Sequence, residues 1–252
     1  MNAVVTPFPT ARRGTLTFLR DARATAHVHL LTDVDATALK AARTSSGGKL
    51  SYAAFVVKAA AEVVADCPPA RSVLLGGRRP RLATVDQVHA KVLFDKSLDG
   101  TRCVASGVVP SAQALTVEEI QTALDTYKDA ELDDPEGPFR NLLRVARLPL
   151  PVAWLAYRAA TRDPVRRTGL QGVFSVTSVG HEPVRAILPM ITGALGYGVG
   201  RIADVPVAVD GEVRIAPRLT LSLTFDHRLL DGALASDLLA RTKDRLEHVE
   251  LP

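Results

Sequence analysis

Near the C-terminus, Asp226-His227-Arg228-Leu229-Leu230-Asp231-Gly232 gathers an imidazole, a guanidinium and two carboxylates into seven residues. An imidazole can take a proton from a hydroxyl or thiol at neutral pH and return it later, so His227 is a candidate general base. The flanking elements would hold it well. Leu219, Leu221, Leu223 and Phe225 alternate with Thr220, Ser222 and Thr224, the period-two pattern of a strand with one buried face. Such a strand delivers His227 to its end, fixing one ring edge while the following turn leaves the other facing a cleft. Gly232 permits a sharp turn, and Ala233 to Leu246 places Leu234, Leu238, Leu239 and Leu246 on one face of an amphipathic helix. A core histidine satisfied by the turn backbone fits the same pattern, and chemistry alone does not separate the two.

Other reactive residues lack such a setting. His27 and His29 share one strand face but have no carboxylate or cysteine at ligand spacing, which favours a structural role and no metal. Cys67 and Cys103 show neither metal-ligand spacing nor a disulfide framework and read as buried thiols. Gly196, Gly198 and Gly200 alternate inside a strand and open no helix, so they are a poor phosphate loop. Asp95-Lys96-Ser97 superficially resembles the turn to which lipoyl groups are attached, but no lipoyl-domain-sized segment surrounds it.

The chain of 252 residues is 47% hydrophobic, enough for a large core in one generous domain or two small ones. Its net charge is +4, with the basic residues scattered apart from Arg78-Arg79-Pro80-Arg81. Scattered charge argues against a nucleic-acid partner, while a polyanionic small ligand would welcome it. No signal peptide or membrane-length apolar run is legible, so cytoplasmic location and no membrane association are the expectations. Residues 1–9 read as an arm, followed by a short basic helix over Ala11 to Ala24. His27 to Asp35 reads as a strand, Ala36 to Arg43 as a helix with Asp35 at its N-cap, and Tyr52 to Asp66 as a buried helix. Two strands around Leu98-Asp99-Gly100 precede a helix over Leu115 to Tyr127, capped by Thr116 or Ser111. Within 133–171, an acidic linker leads to Phe139 to Arg147 and Val152 to Arg162, a helical hairpin expected to form an insertion or lid. Strands follow over Gly172 to Gly180 and from Leu195, with a hairpin turn at Asp210-Gly211.

The motif Asp-His-Arg-x-x-Asp-Gly between a strand and a helix resembles the signature of 2-oxoacid dehydrogenase acyltransferase catalytic domains, relatives of chloramphenicol acetyltransferase. Gly172-Val173-Phe174-Ser175-Val176-Thr177-Ser178-Val179-Gly180 resembles a second segment of that family. The resemblance runs from about Pro7 to Leu246. It implies an α/β fold, a two-layer mixed sheet with flanking helices, that forms trimers, with 10–252 as the catalytic domain. It assigns His227 as the base and Thr177 as the hydroxyl that donates to the tetrahedral oxyanion, with Ser178 beside it. It gives Asp231 an organising role through a pair with Arg12, while Arg228 could serve in place of Arg12; Asp226 is structural.

From the resemblance follow acyl-coenzyme A as donor substrate, with no covalently bound cofactor, and an active site between subunits of a homotrimer. The preceding lipoyl and subunit-binding segments of the multienzyme components are not seen, and the chain starts at Met1. The leading expectation is therefore a stand-alone acyltransferase that moves an acyl group, acetyl by preference, from acyl-coenzyme A to a hydroxyl. The acceptor would be a small or carrier-bound molecule, as in tetronate-type antibiotic biosynthesis. The alternatives are a dihydrolipoamide acyltransferase core of a 2-oxoacid dehydrogenase complex and a non-catalytic trimeric scaffold.

Overall fold

The computed structural model describes residues 3–76 and 78–249. Its helices are α1 (Arg13–Ala22), α2 (Thr37–Ser45), α3 (Tyr52–Ala65), α4 (Val117–Asp129), α5 (Arg140–Ala146), α6 (Leu150–Ala160), α7 (Pro164–Gln171) and α8 (Gly232–Glu247). Its strands are β1 (His27–Asp35), β2 (Ser72–Leu75), β3 (Arg81–Thr84), β4 (Ala90–Leu98), β5 (Thr101–Val109), β6 (Phe174–Ser178), β7 (Leu195–Val209) and β8 (Glu212–Asp226). Six strands form one mixed sheet in the order β1-β8-β7-β6-β4-β5, and β2 pairs with β3 in a separate ribbon. The expected α/β class and mixed sheet with flanking helices are present.

Register converts the alternation of each strand into two chemically distinct faces. Val92, Val176, Tyr197, Leu223 and Leu30 lie side by side across five strands, and this row belongs to the main core with α3 and α8. One position over, Lys91, Ser175, Gly196, Thr224 and His29 form a polar row on the opposite face. An alanine-rich α3 suits its position because small side chains let a helix approach a sheet closely; Ala54, Ala60 and Ala61 are fully buried.

The segment 181–193 crosses that polar face, and it explains the alternating glycines. A methyl at Gly198 would collide with the Ile187 carbonyl oxygen, one at Gly200 with the Arg185 carbonyl oxygen, and one at Gly196 with the Ile191 side chain. The hydroxyl of Ser222 donates to the Ile187 carbonyl at 2.5 Å, tying the crossing segment to β8. At the far sheet edge a smaller core joins Leu98, Cys103 and Ala105 to Phe139 and Leu143. Both cysteines are buried and free.

Several expectations shift on inspection. The helical pattern of 133–171 yields three helices, α5 to α7, because Asp163 caps a further turn by accepting from the Arg166 N–H at 2.7 Å. Thr116, not Ser111, caps α4, in a capping box with Glu119. The N-cap of α2 is Ala36, although the Asp35 carboxylate still accepts from the Thr37 N–H at 2.9 Å. Lys96 donates to the backbone carbonyls of Lys128 and Ala130, each at 2.6 Å, so it braces the end of α4 from β4. At Gly232 the backbone is not left-handed and a methyl would meet open space, so glycine is not required there. The turn at Asp210-Gly211 has positive φ at both residues, 53° and 80°, as a type I′ hairpin demands.

Candidate active site

His227 stands one residue beyond β8, where its N–H donates to the Ala26 carbonyl at 2.8 Å and its ring lies 5.5 Å from that of Phe225. Its side chain is 48% exposed, so backbone and neighbouring ring fix one side while the other is open to a reactant. Nδ1 sits 3.9 Å from a carboxylate oxygen of Asp231, the N-cap of α8, whose carboxylate makes no capping hydrogen bond. That carboxylate is 92% exposed, so its electrostatic hold on the imidazole is weak.

Asp226 performs the support expected of Asp231. It is 2% exposed and accepts from the Arg228 Nε at 2.8 Å, from its terminal guanidinium nitrogen at 2.6 Å and from its backbone N–H at 3.1 Å. These bonds lock both neighbours of His227 in one fork geometry. The same carboxylate raises the pKa of Arg228. The expected pair of Asp231 with Arg12 is not formed within the chain. Arg12 lies in the short turn Thr10–Arg12, which packs against β4 and β5, at the sheet edge opposite β1. Arg228, the second candidate partner, is committed to Asp226.

Thr177 and Ser178 end β6. The Thr177 hydroxyl is buried and has no hydrogen-bond partner among the described residues, an unusual state for a buried polar group. Thr177 faces Gly198 on β7, which faces Ser222 on β8, and His227 lies five residues beyond Ser222. At a strand rise of about 3.3 Å per residue, that offset is on the order of 15 Å along the sheet. Within one chain the base and the orphaned hydroxyl therefore cannot serve the same reacting carbon.

The histidines on β1 are occupied. The ring of His27 accepts from the Ile191 N–H at 3.1 Å, and Nδ1 of His29 pairs with the Thr224 hydroxyl at 2.8 Å. Burial, with the nearby His27 ring, lowers the pKa of His29. Among the described residues no cluster of three metal-ligating side chains occurs.

Sequence reasoning missed Lys91. It is buried on the polar face of β4, donates to the Gln171 side-chain oxygen at 2.6 Å and lies 4.6 Å from the centre of the Phe18 ring. Desolvation pushes its ammonium down to about 8. A lysine in the middle of an apolar strand pattern was the available signal. A shallow cleft opens beside the histidine turn, bounded there by Asp226, Arg228 and Leu229.

Residues 156–252 match the family model of 2-oxoacid dehydrogenases acyltransferase (catalytic domain). The chain is 28% identical over 234 residues to the dihydrolipoyllysine-residue acetyltransferase component of pyruvate dehydrogenase complex from Bacillus subtilis strain 168, covering 89% of this chain and 46% of that one. The structure of a probable dihydrolipoamide acetyltransferase from Listeria monocytogenes 4b F2365 superposes with a TM-score of 0.70 at 20% identity, covering 99% of each chain. A chloramphenicol acetyltransferase superposes with a TM-score of 0.53 at 11% identity, covering 98% of this chain and 100% of that one. The chain thus spans about half the length of the curated relatives it matches. These relatives overturn the hydroxyl acceptor and the tetronate-type setting, because they are dihydrolipoyl acetyltransferases. The motif did not discriminate: a histidine base and an oxyanion donor serve oxygen and sulfur acceptors alike.

Proposed function

We propose that this chain, whose residues 156–252 match the family model of 2-oxoacid dehydrogenases acyltransferase (catalytic domain), transfers an acyl group between the thiols of a dihydrolipoyl group and coenzyme A. His227 takes the proton of the attacking thiol. The thiolate adds to the thioester carbonyl, the carbon becomes tetrahedral, and the carbonyl oxygen carries the negative charge. Thr177 donates its unused O–H to that oxygen, and a single such donor is worth about 3 kcal/mol. Collapse of the intermediate expels the other sulfur, which recovers the proton from the His227 imidazolium. Atoms and charge balance without a metal or a redox cofactor.

The orphaned Thr177 hydroxyl, far along the sheet from His227, is the observation that carries this reading. A buried donor without a partner is a standing cost, and an oxyanion is the partner whose chemistry fits it. The two residues can meet only if one copy supplies His227 and another supplies Thr177, which supports a homotrimer with shared sites. The arm of β7 and β8 beyond Arg218 supports the same assembly: it projects past β1 and leaves Val213 and Ile215 77% and 70% exposed. Ser178 and Asp231 remain supporting members, beside the oxyanion donor and the base respectively. The segment 133–171 is proposed as a wall of the substrate cleft, since α7 carries Arg167 and Gln171 on it.

The experiment is acetyl transfer from acetyl-coenzyme A to dihydrolipoamide, followed by coenzyme A release, on the native particle and on His227→Ala. A loss of about 10²-fold to 10⁴-fold is expected for removal of a general base. Unchanged turnover in the variant, or a native particle that is monomeric by light scattering yet fully active, would overturn the reading.

A further inference from the structure

Helices α5 and α6 both lie against α1. Their inward sides are ordinary packing: Leu143 and Ala146 of α5 and Ala153 of α6 are buried, and the Tyr157 hydroxyl donates to the Asp21 carboxylate at 3.3 Å. The outward side of α6 is different. Val152 and Leu155 stand one turn apart there, 50% and 65% exposed, where a solvent-facing helix normally carries polar groups. Arg158 continues the same face at helical spacing, Arg162 follows just beyond the helix, and α5 turns Arg144 and Arg147 outward; all four are exposed.

Charge in this part of the chain is one-sided. The stretch 140–171 holds seven of the 31 basic residues and one of the 27 acidic ones. The rest of the chain, with 24 against 26, is slightly acidic, so the whole surplus of +4 arises here. The one acid, Asp163, is engaged as the cap of α7. Among the described residues, Arg167 is the one arginine of the seven that forms an ion pair, with Asp21 at 3.8 Å. The guanidinium of Arg158 instead lies 4.8 Å over the ring of Trp154.

A polyphosphate or a hydrated acidic peptide matches the arginines and leaves Val152 and Leu155 without a partner. An anionic bilayer surface matches both, with phosphates at the guanidiniums and the acyl boundary under the aliphatic side chains. Tryptophan is itself favoured at that boundary. No helix among the described residues is long and apolar enough to cross a membrane, so the contact is with the surface. We propose that the outward side of α5 and α6 seats the protein on an anionic membrane. The contact goes beyond the acyl-transfer reading and uses none of its catalytic residues.

Trp154 is the chain's single tryptophan, so its emission reports on α6 alone. The native particle is titrated with vesicles of phosphatidylcholine plus phosphatidylglycerol and with vesicles of phosphatidylcholine alone, and binding is read by Trp154 emission, by its quenching with brominated lipid and by co-sedimentation. The expected result is a blue shift and quenching on the anionic vesicles that fade with added salt. Each guanidinium near such a surface contributes about fivefold, so Arg144→Gln/Arg147→Gln/Arg162→Gln should weaken binding about 100-fold, while the triple lysine variant keeps most of it. Val152→Ser/Leu155→Ser should weaken it at least about tenfold. These side chains are exposed, and far-UV dichroism checks that each variant is folded. Absence of binding, equal binding to uncharged vesicles, or undiminished binding by the glutamine variant overturns the proposal and leaves acyl transfer standing. So does an emission shift produced as fully by soluble polyglutamate and not quenched by brominated lipid, which assigns the surface to an acidic protein. A native particle that falls apart in light scattering when Val152 and Leu155 are replaced by serine also overturns it, since another copy of the chain then covers this face.

Discussion

Replacing Thr177 by valine should move stability and activity in opposite directions. The hydroxyl is buried and unpartnered, so in the resting protein it has given up water without a replacement bond. Leaving such a group unsatisfied costs about 1–3 kcal/mol, and Thr177 as a residue is only half-buried, which places it near 1 kcal/mol. Valine keeps the branched shape at Cβ that suits a strand and removes the unsatisfied group. We expect Thr177→Val to raise unfolding stability by about 1 kcal/mol, read as a higher urea midpoint at constant slope. The same variant loses the oxyanion donor, so kcat for acetyl transfer should fall about 10²-fold to 10³-fold. Thr177→Ser should keep most of the activity. A valine variant with lowered stability and unchanged kcat would refute the argument, because the hydroxyl would then be bonded at rest and idle in the reaction.

Three further outcomes follow from the geometry. Lys91 releases its proton near pH 8 in the native protein but only near 10.5 when unfolded. The unfolded state therefore binds more protons between those values, and stability should rise with pH through that window. Lys91→Met should abolish this component and stabilise the protein at pH 7 by roughly 2 kcal/mol, after discounting the lost bond to Gln171; a wild-type profile no steeper than the variant's would contradict the assignment. Gly198→Ala should cost about 3 kcal/mol or more, because its methyl meets the Ile187 carbonyl and the Ser222 hydroxyl; a midpoint shift under 1 kcal/mol in urea melts would mean that segment 181–193 can lift off the sheet. The effects of Arg12→Ala and Asp231→Asn on turnover should add, since the chain does not pair them; coupling beyond about 0.5 kcal/mol in a double-mutant cycle would instead reveal a contact made between copies.

Much of the site's local geometry was legible because it rests on short-range patterns. The alternation of Leu219 to Phe225 specified a strand, and the spacing of Leu238, Leu239 and Leu246 specified the helix behind it, as found in β8 and α8. Thr116, one of the two caps the pattern offers, marks the start of α4 in the same way, whereas its box with Glu119 emerged from the structure. The partner of Asp226 was adjacent in sequence, yet the role went to Asp231 because burial, which decides which carboxylate needs a counter-charge, has no local signature. The alternating glycines of β7 lie inside a strand as the pattern implies, but their purpose depended on segment 181–193 passing over them.

The amino-acid sequence by itself determined which residues alternate, which helices are amphipathic and which histidine stands between a strand and a helix. Each follows from periodicity within a few residues. Tertiary structure decided the rest. Register across five strands set Lys91, Ser175 and Thr224 in one polar row, buried Asp226 against Arg228, and held Thr177 far from His227 in its own chain. Those outcomes turn on contacts between residues up to about 200 positions apart, whose energies depend on register, burial and distance and leave no trace in the spacing of neighbours.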